Sequence, residues 1–243
     1  MVLAWSMDKV GPICRSIEDC ALVFNTIHGA DEKDPATLTT PFRFRRNPDL
    51  SSLRIGFDEG APEAFVEALR ALGANPQPIS GIPRGSSNAL NVESAAAFDF
   101  HIAPQIEAEA AAAAESPPEE VVAGERPSAE DRRRARFRRG RDVSALDFIQ
   151  SQRRRHLLML EMAEAMEGFD MFVSGRGEVG LTNQTGNPAV VVPYDFGGDV
   201  PQPLTTTIIG DLFADDKILS VAHAYQATTD WHLRRPDLSG AGS

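Results

Sequence analysis

Residues 181–210 read LTNQTGNPAVVVPYDFGGDVPQPLTTTIIG, and the fold class turns on this stretch. Residues 189–192 are a valine-rich apolar run fenced by Pro188 and Pro193. A run so short and wholly apolar predicts a strand buried on both faces rather than a helix. The Asn183 to Pro188 segment ahead of it reads as a polar turn. Residues 204–209 repeat the strand signal and Gly210 ends it. A helical pattern follows over 215–229, with Ile218, Val221, Ala222 and Tyr225 on one side. Two covered strands closed by a helix predict the core of an α/β domain, with the rest of the chain packed around it.

On the amino side of this stretch, residues 169–174 read as a further strand, preceded by a helix over 142–168. Val143, Leu146, Ile149, Leu157, Leu160, Ala163 and Met166 give that helix a stripe predicted to be buried. Met159, Met162 and Met166 read as core filler. Residues 132–141, RRRARFRRGR, are the one strongly basic run. It reads as a solvated helix end balanced by Glu125, Glu130, Asp131, Asp142 and Asp147. A phosphate-binding patch and a guanidinium fork for a substrate carboxylate are the alternatives. Residues 84–130 are the variable part of the chain. Residues 88–100 are predicted helical, 108–114 have high helix propensity, and 116–128 look like a mobile connector.

Nearer the amino end, Ser16 and Asp19 form a capping-box pattern. Ile17, Cys20, Ala21, Phe24 and Ile27 then share a helical face, with Gly29 as the stop. Residues 30–49 are a polar, proline-dotted surface excursion. Residues 53–57 form a strand and Pro62 opens a helix carrying Phe65, Leu69 and Leu72. The turn between them holds one glycine and two carboxylates, the wrong chemistry for a phosphate cradle. Residues 237–243 read as a disordered tail, and residues 1–243 as part of a single domain.

A chain of 243 residues with 42% hydrophobic and 24% charged residues can build a sizeable core. Its net charge of −11 repels phosphates at long range, which argues against nucleic acid and anionic membrane as partners. No apolar run reaches membrane-spanning length, so no membrane is expected. Cys14 and Cys20 make neither a metal-spaced pair nor a disulfide framework, and the expected location is cytoplasmic. The opening MVLAWSMDKVGP has no signal-peptide pattern. It reads as a strand or loop entered partway through a domain, so the chain is expected to be truncated.

Three stretches carry a family likeness: SMDKVGPICRSIEDCA near the start, NQTGNPAVVVP, and PLTTTIIGDLF with VAHAYQATTDWHLRRP near the end. Together they resemble the carboxyl-terminal half of the amidase signature family, which includes bacterial amidases and the A subunit of the tRNA-dependent amidotransferase. The resemblance implies an α/β, partial amidase-signature fold, a mixed β-sheet covered by helices on both faces, lacking the amino-terminal catalytic half. It implies hydrolysis of a linear amide C–N bond by a Ser–cis-Ser–Lys triad beside a Gly/Ser-rich oxyanion loop. It also places Asp8, Gly11, Pro12 and Arg15 just after the nucleophile loop. Asn183, Gly186 and Pro188 match the turn approaching the substrate pocket, where Gln184 and Asn187 are expected to present amide groups. Two departures stand out: Ser174-Gly175-Arg176-Gly177 replaces a small-residue and proline step, and Thr207 stands where the family often has Gln.

A serine hydroxyl needs a neighbour that takes its proton, and its tetrahedral intermediate needs aimed donors. The chain has three lysines, Lys9, Lys33 and Lys217, none in an apolar surround, and no glycine-rich serine loop. The nearest candidate, at 84–87 (RGSS), lacks the glycine cradle. His223 and His232 are too far apart to share a helix face as metal ligands. Asp215 and Asp216 make a capping pair rather than an acid/base dyad. No catalytic residue, metal or cofactor is therefore assigned, and the triad is expected upstream of Met1. The expected partner is the missing amino-terminal amidase half or a partner subunit, with a small amide as substrate only in the complete enzyme. The alternative is a non-catalytic interaction module that completes or regulates a partner amidase or amidotransferase subunit.

Overall fold

The computed structural model describes residues 3–34, 36–85, 89–115, 128–176, 178–198 and 202–235. They fall into two units, residues 1–9 with 85–159 and residues 10–84 with 160–243. The predicted 237–243 tail and most of the 116–128 connector lie outside the described residues.

The larger unit is built on a five-stranded mixed sheet of order β2-β1-β3-β5-β4. Its strands are β1 (Ile55–Phe57), β2 (Gln77–Pro78), β3 (Met171–Ser174), β4 (Ala189–Gly197) and β5 (Gln202–Gly210). β1 pairs parallel with β2 and β3, whereas β5 runs antiparallel to both β3 and β4. In this register Phe57, Val173, Ile208 and Val190 form a row across four strands. That row faces a core of Ile17 and Ala21 from α1 (Ile17–Ile27), Phe65 and Leu69 from α2 (Glu63–Ala71), and Ile218, Val221, Ala222 and Tyr225 from α7 (Asp215–Gln226). All four residues of β3 are buried, as befits a central strand with both faces covered.

β4 departs from the prediction. Val190 and Val192 are buried while Ala189 and Val191 are exposed. The apolar run therefore packs on one face only, because no described layer covers the other. The Asn183–Pro188 segment is likewise not all turn: α6 (Val179–Thr185) takes in Asn183 and Gln184, and Gly186 ends it at φ +88°. A left-handed stop at a helix carboxyl end suits glycine. α1 behaves as expected, with Ser16 accepting from the Asp19 N–H and Gly29 beyond it at φ +104°.

The smaller unit contains α3 (Ala89–Glu115) and α4 (Ala129–Arg141), and α5 (Ala145–Ala165) has residues in both units. The two separate helical signals at 88–100 and 108–114 merge into one α3. The basic run is helical, with a full Ser128/Asp131 capping box at its start. Arg134 pairs with Glu109 and Glu130, Arg138 with Glu109, and Arg141 with Asp99. These three guanidinium groups are thus balanced within the chain.

α5 reverses much of the sequence prediction. The stripe assigned to the core is exposed at Leu146, Ile149, Leu157 and Leu160 and buried at Met166, whereas Ser151, Leu158 and Met162, which lie off that stripe, are buried. The helix carries apolar residues on two sides, and periodicity alone does not choose between them. Met162 and Met166 are core filler as predicted; Met159 is exposed.

Candidate functional site

The end of β3 is where the loops of the sheet converge. Ser174, fully buried, donates from Oγ to Asp58 Oδ2 at 2.5 Å and accepts from the Arg176 N–H at 3.2 Å. Its carbonyl takes the Thr206 hydroxyl at 3.0 Å, and the Asp58 N–H returns to Val173 O at 3.0 Å. The loop after β3 also touches the loop after β1: a Cβ on Gly175 would lie 1.6 Å from Gly60 O. Here the Ser174-Gly175 step meets a spatial need for a residue without a side chain.

One residue before β3, Asp170 is the electrostatic hub of the unit. It accepts from Lys217 Nζ at 2.7 Å, from the Arg54 N–H at 3.0 Å and from Arg54 Nε at 3.3 Å. Burial alone would raise this carboxyl. Hydrogen bonds from Lys217 and then Arg54 outweigh it and hold the pKa down at about 2. The sequence placed Lys217 at an exposed helix start, which is where it lies, in the first turn of α7; the sequence did not show that its ammonium binds Asp170. The available signal was a lone acid directly before the apolar strand MFVS.

The residues predicted to approach a substrate pocket adjoin β4. Asn187 is buried and donates from Nδ2 to Gly210 O at 2.9 Å, tying the start of β4 to the end of β5. Gln184 is buried too, with Nε2 on Gly180 O at 2.8 Å. Pro188 is buried, Gly186 is exposed and Asn183 lies between. Local structure thus brings the five together around the α6–β4 junction, with the Asn187 carboxamide engaged as a brace.

The second predicted set is spread along the amino end. Asp8 accepts from the Leu3 N–H at 2.6 Å. Pro12 O receives Cys20 Sγ at 3.8 Å, and Gly11 has open space where a Cβ would sit. Arg15 donates to His232 O at 2.9 Å and Arg234 O at 3.4 Å. Arg15 thus pins the stretch after α7, giving His232 a structural place. His223 meets Phe44 edge-on with ring centroids 5.5 Å apart. No cluster of three or more metal-ligating side chains occurs among the described residues.

In the smaller unit, sequence reading missed a buried acid. Glu93, 1% exposed, accepts from the Ser6 hydroxyl at 2.5 Å, the Ser6 N–H at 3.1 Å and Gln152 Nε2 at 3.2 Å. Arg155 reaches Ser6 Oγ at 2.9 Å and Ser6 O at 2.7 Å. Ala4 and Met7 are buried with Ala89 in a small apolar cluster, so residues 4–8 are clamped by both polar and apolar contacts. Ser6–Glu93 and Ser174–Asp58 both put a serine oxygen against a carboxylate. A carboxylate is a far weaker base than an amine, and Ser174 is buried beyond a substrate's reach. Among the described residues, the amides of Arg176 and Ser6 beside these pairs are engaged by Ser174 Oγ and Glu93 rather than aimed at an oxyanion. An open cavity of about 740 Å³ on α3 and α4 is lined by Glu109, Asp131 and arginines including Arg132 and Arg139, away from any of these serines in sequence and element.

The sequence profile of the Amidase family matches residues 2–176, and the chain belongs to that family. It is 30% identical to the A subunit of the glutamyl-tRNA(Gln) amidotransferase of Dechloromonas aromatica, over 97% of this chain and 58% of that protein. An amidase of Pseudomonas putida is 26% identical, over 99% of this chain and 57% of its own length. The peptide amidase of Stenotrophomonas maltophilia superposes with a TM-score of 0.71 at 22% identity, over 97% of this chain and 56% of that one. The fold is therefore the amidase-signature fold in part. The chain spans a little over half the length of the relatives it matches.

Proposed function

We propose that residues 1–243 are the carboxyl-terminal part of one amidase domain, a scaffold for hydrolysis of a linear amide C–N bond that does not turn over alone. The observation that carries this reading is the state of the lysines. Lys217 is held by Asp170 at 2.7 Å, Lys33 pairs with Asp31 at 3.9 Å with 87% of its side chain exposed, and Lys9 is exposed. In a Ser–cis-Ser–Lys arrangement the base is a desolvated amine within reach of the hydroxyl, and none of the three lysines has that setting.

In this reading Asn183, Gln184, Gly186, Asn187 and Pro188 floor the substrate pocket. The nucleophile, its lysine and the oxyanion loop come from an amidase-type amino-terminal half or a partner subunit. The similarity to the A subunit of an amidotransferase, of which this chain spans 58%, supports the first source. Cytoplasm suits the protein, since Cys14 and Cys20 are both free thiols; no helix among the described residues is long and apolar enough to cross a membrane.

Co-expression with a segment bearing a Gly/Ser-rich loop and a lysine strand tests the proposal. Hydrolysis of simple aliphatic or aryl amides, absent from either piece alone, is the expected result. A stable but inactive complex supports the interaction-module reading instead, and failure to form any complex contradicts both.

A further inference from the structure

The outer face of α5 has the pattern of a helix-pairing seam. Positions 146, 150, 153, 157, 160 and 164 alternate steps of four and three, the spacing that keeps side chains along one helix–helix contact. They are Leu146, Gln150, Arg153, Leu157, Leu160 and Glu164. Leu146, Leu157 and Leu160 are 67%, 56% and 55% exposed, with Ile149 beside them at 57%. The opposite side of the same helix, at Ser151, Leu158 and Met162, is already buried. Large apolar residues are seldom gathered on a surface without a partner.

The charges say which partner. Arg153 lies four residues before Leu157 and Glu164 four residues after Leu160. Let a second copy of α5 run antiparallel, so that Leu157 faces the partner's Leu160. Arg153 then falls opposite the partner's Glu164, and Glu164 opposite the partner's Arg153. Two leucine layers are flanked at each end by an ion pair, which is the self-complementarity that a two-fold interface requires. A parallel copy would instead place arginine on arginine and glutamate on glutamate. Arg153 and Glu164 are both exposed, and no described residue forms an ion pair with either. We propose that the outer face of α5 is a homodimer interface, an antiparallel pairing of two copies through Leu157, Leu160, Arg153 and Glu164.

A single helix pair is small beside a standard interface, so a dissociation constant on the order of micromolar is expected. Sedimentation velocity of the full chain should show a concentration-dependent monomer–dimer equilibrium. Leu157→Glu should abolish it. Arg153→Glu or Glu164→Arg alone should weaken it at least about tenfold, because each sets like charges face to face at both ends. The double variant Arg153→Glu/Glu164→Arg should return to within about threefold of the natural chain, since swapped pairs are again opposite in sign. Rescue by the double variant cannot come from misfolding. A natural chain monomeric up to about 100 µM, well above the micromolar scale, would overturn the proposal and leave the face to another polypeptide. A dimer indifferent to both single reversals, or not restored by the double, would also overturn it.

Discussion

Replacing Asp170 by Asn should destabilise the sheet unit by about 1–2 kcal/mol at neutral pH. A carboxyl lowered from 3.8 to about 2 corresponds to ~2.4 kcal/mol at most. The side chains that lower it are partly in water, Lys217 at 47% and Arg54 at 63% exposure, so screening reduces the figure. Asn keeps the shape but loses the charge and can turn an amide N–H toward the Lys217 ammonium. Because the folded carboxyl titrates below its unfolded value, its stabilisation is present above about pH 4 and disappears as pH falls toward 2. Urea titrations of both proteins, followed by circular dichroism from pH 7 to pH 2, should show two curves that converge at the acid end. Equal stability at pH 7, or an offset that persists unchanged at pH 2, would mean that the Asp170 charge is not what holds these loops.

Two other substitutions test the way the loops are fixed. Gly175→Ala drives a methyl into Gly60 O, 1.6 Å away, with backbone rather than a flexible side chain to yield; thermal melts should show a loss of about 2–4 kcal/mol. Asn187→Ala leaves the buried Gly210 carbonyl without its 2.9 Å donor and should cost about 1–3 kcal/mol in the same assay.

Much of the fold is legible in the sequence because it rests on local signals. The apolar runs at β3 and β5, the Ser16 cap, the Pro62 start of α2 and the amphipathic α7 each announce themselves within a dozen residues. What fails to show depends on partners distant in the chain. Val191 is as apolar as Val192, and only the absence of a second described layer over β4 leaves it exposed. Leu157 and Leu158 are adjacent and identical; tertiary packing alone decides that 158 is the buried one. Asn183 favours turns in isolation, yet together with Gln184, a good helix former, it completes α6 once Gly186 provides its stop. The site residues divide the same way. Asn187 and Pro188 stand out by motif, but the Asp170 hub joins residues 54, 170 and 217, and the Glu93 clamp joins 6, 93 and 152. Separations of that size leave no periodic trace.

If the proposed function is right, no serine in these 243 residues is an armed nucleophile. A fluorophosphonate forms a covalent adduct only with an activated serine, so intact mass after treatment of the purified chain reads the point without any choice of substrate. The mass should stay unmodified under conditions that label a complete amidase stoichiometrically. A single adduct per chain, mapped to one serine and lost when that serine is replaced by alanine, would contradict it.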